Sequence, residues 1–146
     1  MYDFVDRPVA RISYGGRFVL WAMRGWIRSA TIGSCPPGAL APAFARHAAL
    51  PALPHFHRLL CALNTSAVGR ITLAPLNHNC VTEDEAILLQ LWRDATEAPP
   101  TARATLALLL RPEAVGDAFT ALLSGTARLG EVGLGEIAAE TDGVRG

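Results

Sequence analysis

Lysine is missing from this sequence altogether, so all 13 of its basic residues are arginine. No physical rule forbids lysine throughout a fold, and its absence reads as a bias of genome composition. Long apolar runs are missing too: the longest, Phe18 to Met23 and Ala104 to Leu110, fall far short of the roughly 18 residues that cross a bilayer. No membrane span is expected. The opening residues, Met1 to Pro8, have neither a cationic start nor a continuous apolar stretch, which argues against export by a standard signal. Cysteine is scarce and odd in number, at Cys35, Cys61 and Cys80. That excludes a complete disulfide framework and suits a reducing, cytoplasmic compartment. There is also no excess of charge, with 13 basic residues against 13 acidic ones, so net charge gives no support to nucleic-acid binding.

What is present points to one helical domain. A length of 146 residues suits a single core. The 51% hydrophobic content overstates greasiness, because alanine fits helix surfaces as readily as an interior. From Arg17 to Ala30 the set Phe18, Val19, Ala22, Met23, Trp26 and Ala30 falls on one side of a helix, with Arg17, Arg24 and Arg28 on the other. Gly33 to Gly38, containing Cys35-Pro36-Pro37, reads as a rigid loop. Helical signal returns from about Pro42 to Leu50 and from about Pro51 to Leu63, each with proline plausible in its first turn.

Ile71 and Leu73 alternate with Arg70, Thr72 and Ala74, the one good strand pattern in the middle of the chain. It should pair with Val9 to Ser13, or with its own copy across a two-fold axis. The clearest local signal is Thr82-Glu83-Asp84-Glu85, a capping box. The helix it starts should run to about Thr96, burying Ile87, Leu88, Leu91, Trp92 and Ala95, and stop before Pro99-Pro100. Thr101 is expected to cap a shorter helix to Leu110, and Pro112 opens a last one with Val115, Phe119, Leu122, Thr126 and Leu129 as its core stripe. The expected fold is mainly α, a compact bundle of about five to six helices with one short strand segment near 70–74. The single domain 1–146 would have an ordered core over about 14–129, an N-terminal arm 1–13 and a flexible glycine-rich tail 131–146.

Four side chains could make a metal site. His57 and Cys61, four apart on one helix face, and His78 with Cys80 beyond the strand supply two imidazoles and two thiolates, a set that zinc takes in tetrahedral geometry. The spacing matches no known finger and contains no CxxC pair, and Cys61 among Leu59, Leu60 and Leu63 is most simply a small buried residue and His57 a half-exposed one. Cys80, just before a helix, could be a redox or nucleophilic thiol, although Glu83, Asp84 and Glu85 oppose a thiolate there. Those three acids are accounted for by capping and the helix dipole without any catalytic role. No nucleophilic triad is visible. The terminal run Gly130, Gly133 and Gly135 matches no phosphate loop.

The other grouping is a stripe of Tyr14, Arg17, Trp21, Arg24 and Arg28 on the polar face of the first helix. Arginine interleaved with aromatics can grip phosphates, bases or an acidic partner, and Trp and Arg are the side chains most enriched at binding hot spots. The plain alternative is a solvated arginine face.

The stretch Arg17 to Arg28, then Ile71-Thr72-Leu73-Ala74-Pro75, then Cys80-Val81-Thr82-Glu83-Asp84-Glu85, resembles a family of short alphaproteobacterial proteins of unknown function. Its members carry more cysteines where this chain has Leu76 to Cys80. The resemblance implies a bacterial cytoplasmic setting and no particular activity. Together these readings favour a non-enzymatic helical module that acts through protein contacts, as a homodimer, with no cofactor. The alternatives are a zinc- or thiol-dependent protein using His57, Cys61, His78 and Cys80, and a small nucleic-acid-associated regulator.

Overall fold

A computed structural model describes residues 3–139 of the chain. Six helices follow one another there: α1 (Tyr14–Thr31), α2 (Pro36–Arg46), α3 (Leu53–Thr65), α4 (Glu83–Glu97), α5 (Pro99–Leu109) and α6 (Pro112–Glu131). Ser13 starts α1, its hydroxyl accepting the Gly16 amide at 3.1 Å. The Thr82–Glu85 capping box starts α4, with both reciprocal bonds formed. Helix α2 begins earlier than its sequence suggests. Pro36 and Pro37 occupy its first turn, where missing N–H groups cost nothing, so the expected rigid loop ends at Cys35. Pro42 then lies inside α2, and the residue four before it is Gly38. Helix α5 likewise opens on Pro99 and not behind a Thr101 cap.

A chain of aromatic rings ties the first four helices together. Phe18 of α1 meets Phe44 of α2 edge-on at 4.9 Å, Phe44 meets Phe56 of α3 at 5.6 Å, and Phe56 stacks on Trp92 of α4 at 5.8 Å. Helix α6 closes the bundle, with Gly125 against Trp92 and His55. The buried face of α4 is turned toward Glu85, Leu89 and Trp92, so Ile87, expected inside, is 41% exposed.

The ends of the described chain are less free than their composition suggests. Phe4 and Ile12 are buried, and residues 6–9 run antiparallel to 79–81, with Asp6 N donating to Val81 O, Val81 N to Arg7 O and Val9 N to Asn79 O. The expected arm 1–13 is thus part of the body from Asp3 onward. At the other end Leu134 and Ile137 are buried and the backbone crosses the start of α1. Ser13 Oγ donates to Glu136 O at 2.8 Å and accepts from Ala138 N at 3.0 Å. A Cβ on Gly15 would come within 2.5 Å of Leu134 O, so the crossing requires glycine there. The expected tail therefore packs at least to Ala139, and residues 140–146 lie outside the described residues.

Residues 70–74 form no strand and join no ladder. The alternation is real, and its partner is a helix start in place of a strand: Thr72 N donates to Asp84 Oδ2 and Ala74 N to Glu85 Oε2, both at 2.8 Å. Alternate amides on one edge of the strap thus meet two consecutive carboxylates. Residues 9–11, its expected partner, form a 3-10 turn instead.

Glu85 has a second, larger role. Its carboxylate, fully buried, takes the Arg24 guanidinium in a two-pronged grip, Nε to Oε2 and Nη2 to Oε1, both at 2.8 Å. Arg24 also donates to the carbonyls of His78 at 2.9 Å and Cys80 at 3.0 Å. One ion pair thereby joins α1, α4 and the 71–82 connection. Burial pushes the Glu85 carboxyl up, but the Arg24 guanidinium and the amides of Thr82 and Ala74 outweigh it and hold the group below the ordinary carboxylate range.

Glu85→Gln keeps a capping acceptor but leaves Arg24 buried without a counter-charge, and should cost about 3–5 kcal/mol in urea unfolding. The double variant Arg24→Met/Glu85→Gln should cost less than the sum of the two single changes. Because the folded carboxyl is depressed, its contribution is complete above the ordinary carboxylate value of about 4.3 and is lost as pH falls through the lower folded value. A Glu85→Gln loss below about 1 kcal/mol, the range of exposed pairs, would contradict a buried pair.

Candidate binding face

Tyr14, Arg17 and Trp21 stand on the outer side of α1 where α2 runs beside it. Close approach of the two helices is set at Gly25, where a Cβ would lie 3.2 Å from Leu40. With Phe18, Arg46 and His47 the three line a groove of about 280 Å³. The groove wall is fixed by hydrogen bonds: Tyr14 Oη donates to His47 Nε2 at 2.7 Å, and His47 Nδ1 donates to Ala43 O at 2.9 Å. His47 also packs on the Phe18 ring at 4.8 Å. Trp21, 38% exposed, borders a second hollow of about 190 Å³ lined by Arg28, Ile32, Leu40 and Leu76. One exposed indole therefore stands between two adjacent hollows.

Charge on this face is one-sided. Among the described residues, Arg17, Arg28 and Arg46 make no ion pair with a carboxylate; Arg17 instead lies over the Tyr14 ring at 5.6 Å. Arg24, placed in the stripe by its helical angle, is a correction. It is 3% exposed, because the 71–82 connection and the start of α4 fold over that edge of α1. Arg46, His47, Ile32 and Leu76 belong to the face but were not marked by sequence. The helix expected over 42–50 held Arg46 and His47 in its middle; α2 in fact ends at Arg46 with His47 as its C-cap, which sets His47 beside Tyr14.

The four candidate metal ligands are not brought together. His57 and Cys61 do meet, with Sγ 3.5 Å from Nε2, but a third residue joins them: Trp26 Nε1 donates to His57 Nδ1 at 2.9 Å. His57 thus accepts on Nδ1 and carries its proton on Nε2, turning an N–H toward the thiol. His78 and Cys80 hang from Arg24 through their carbonyls. Arg24 and Trp26 are two apart on α1, about 200° round the helix, so the two pairs lie on different sides of it. Among the described residues no three His, Cys, Asp or Glu side chains cluster as a metal site. All three thiols are free, Cys35 exposed and the other two half-buried.

No family model matches the chain, and neither curated proteins nor solved structures give a match. No helix of the described residues is long and apolar enough to cross a membrane.

Burial lowers the His57 imidazole below its ordinary value and raises the Cys61 thiol. By NMR, His57 should titrate below about 6.5 as the Nε2–H tautomer. Trp26→Phe, which removes the donor that favours the neutral ring, should move that midpoint up. Neutral His57 contributes stability that is complete above the ordinary imidazole value and lost as pH falls through the folded one. Alkylation should reach Cys35 well before Cys61. A wild-type midpoint at or above the ordinary value would contradict the Trp26 bond.

Proposed function

We propose that this chain is a non-enzymatic helical module that docks an acidic segment of a partner protein across the α1–α2 face. The observation that carries the reading is the set Arg17, Arg28 and Arg46, free of carboxylate partners among the described residues, around two hollows that share the exposed Trp21. A rim of unpaired guanidiniums and an aromatic anchor in a pocket are the parts that bind acidic, apolar-bearing segments with specificity. Arginine grips carboxylates bidentately, and Trp21, Ile32 and Leu76 offer apolar area to a partner's hydrophobic side chain.

Charge sign also selects among partners. Two-fold pairing through this face would press two arginine-bearing surfaces together, so a homodimer would need another surface. The edge first considered for that role is occupied, since Thr72 and Ala74 spend their amides on Asp84 and Glu85. Three free thiols fit a reducing, cytoplasmic setting.

A display library of random peptides is the direct test. Selected sequences should be rich in Asp and Glu around a Leu, Phe or Trp, bind with a shift in Trp21 fluorescence, and weaken with salt. The pair of changes Arg17→Glu and Arg46→Glu should reduce affinity at least about tenfold, and Trp21→Ala by a similar factor. Neutral or basic selected peptides, or acidic ones indifferent to those changes, would refute the reading. Tighter binding of duplex DNA than of any selected peptide would favour a nucleic-acid role in its place.

A further inference from the structure

A separate hollow lies on the other side of α1, between α3, α4 and the strap 67–73. Its volume is about 220 Å³, and its walls are Ile27 of α1, Leu60 and Leu63 of α3, Leu88 of α4, and Ile71 and Leu73 of the strap. Two polar residues also line it, Asn64 and Arg70. Both are exposed, so they stand at its mouth while the leucines form its floor. We propose that this hollow binds a short aliphatic carboxylate, tail inward and head group on Arg70.

Three features support a ligand over a packing fault. The strap cannot collapse onto α3, because Thr72 and Ala74 are tethered to Asp84 and Glu85 and residues 66–68 are tethered at the other end. There Val68 N donates to Leu109 O and Arg111 N to Ser66 O. The space is therefore held open from both sides. Its volume exceeds the roughly 150 Å³ apolar cavity that takes a benzene-sized guest, which allows a chain of about six carbons. The mouth, finally, has a cation with nothing to pair with: Arg70 makes no ion pair among the described residues.

The charges facing this mouth do not cancel that cation. The carboxyl end of α3 points here and opposes an anion, but its Thr65 carbonyl already accepts from Arg111 Nη1 at 3.2 Å. The Asp84 carboxylate is held by the Thr72 amide two residues along the strap and makes no ion pair with Arg70. A ligand carboxylate can take two parallel bonds from Arg70, with the Asn64 amide as a further donor. An alcohol of equal length would bury the same tail and forgo the charge-assisted bonds.

Hexanoate and hexan-1-ol, titrated into the full chain and followed by methyl NMR, separate these contributions. Hexanoate should shift the Leu63 and Leu88 methyls to saturation and bind about tenfold tighter than hexan-1-ol. Arg70→Gln, at an exposed position, should erase that advantage and leave the alcohol unaffected. Equal affinity for acid and alcohol, an unchanged ratio in Arg70→Gln, or no saturation by either probe would each overturn the proposal. None of these outcomes bears on the α1–α2 face, which shares no residue with this hollow.

Discussion

The Arg24–Glu85 pair is the constraint on which the rest of this bundle depends. Two charges stripped of water are costly unless each is paired and every remaining donor and acceptor is used. Here the requirement is met by bringing three parts of the chain to one point: α1 supplies the guanidinium, α4 the carboxylate, and the connection between α3 and α4 supplies two carbonyls and two amides. The connection contains neither helix nor strand. It is nevertheless held as firmly as its hydrogen bonds to the pair allow, and it in turn offers Asn79 and Val81 to the N-terminal segment. A buried salt bridge is a weak source of net stability but a strong source of uniqueness where many groups must be satisfied together. That is the use made of it here.

The same arrangement divides α1 into functional sides. The edge bearing Arg24 is consumed by structure, and so is the face bearing Val19, Met23 and Trp26. What remains outward is the line through Tyr14, Arg17, Trp21 and Arg28, flanked by α2. Arginines on one helix thus serve opposite purposes, one neutralised in the interior and the others left with charge to offer. The proposed acidic partner follows from that division, because Arg17, Arg28 and Arg46 make no ion pair with a carboxylate among the described residues.

Much of the fold was legible in sequence because periodicity and capping act locally. The two-sided pattern of 17–30, the capping box at Thr82 and the stripe from Val115 to Leu129 each correspond to a helix. What escaped was decided by distant residues. A helical angle puts Arg24 with Arg17 and Arg28, and only the folding of 71–82 over it reveals a buried ion. The alternation of 70–74 signals a strand, but sequence cannot say that two helix-start carboxylates will take its amides in place of a neighbouring strand. Pro36-Pro37 fits both a loop and a first turn, and only the packing of α2 on α1 reveals that His47 lies beside Tyr14. Glycine near the C-terminus reads as freedom, whereas the glycine that matters is Gly15, whose missing side chain admits Leu134 and Glu136 against α1.

Native-state hydrogen exchange at Ala74 is the most direct measurement of whether the buried pair organises the connection. Ala74 belongs to no helix or strand, and its amide is tied to the fold by its bond to the Glu85 carboxylate. If the pair is the keystone, this amide exchanges only through the same global opening as the core amides of α4. Exchange at the rate of an unstructured peptide, with α4 still protected, would show that the connection is held by something else.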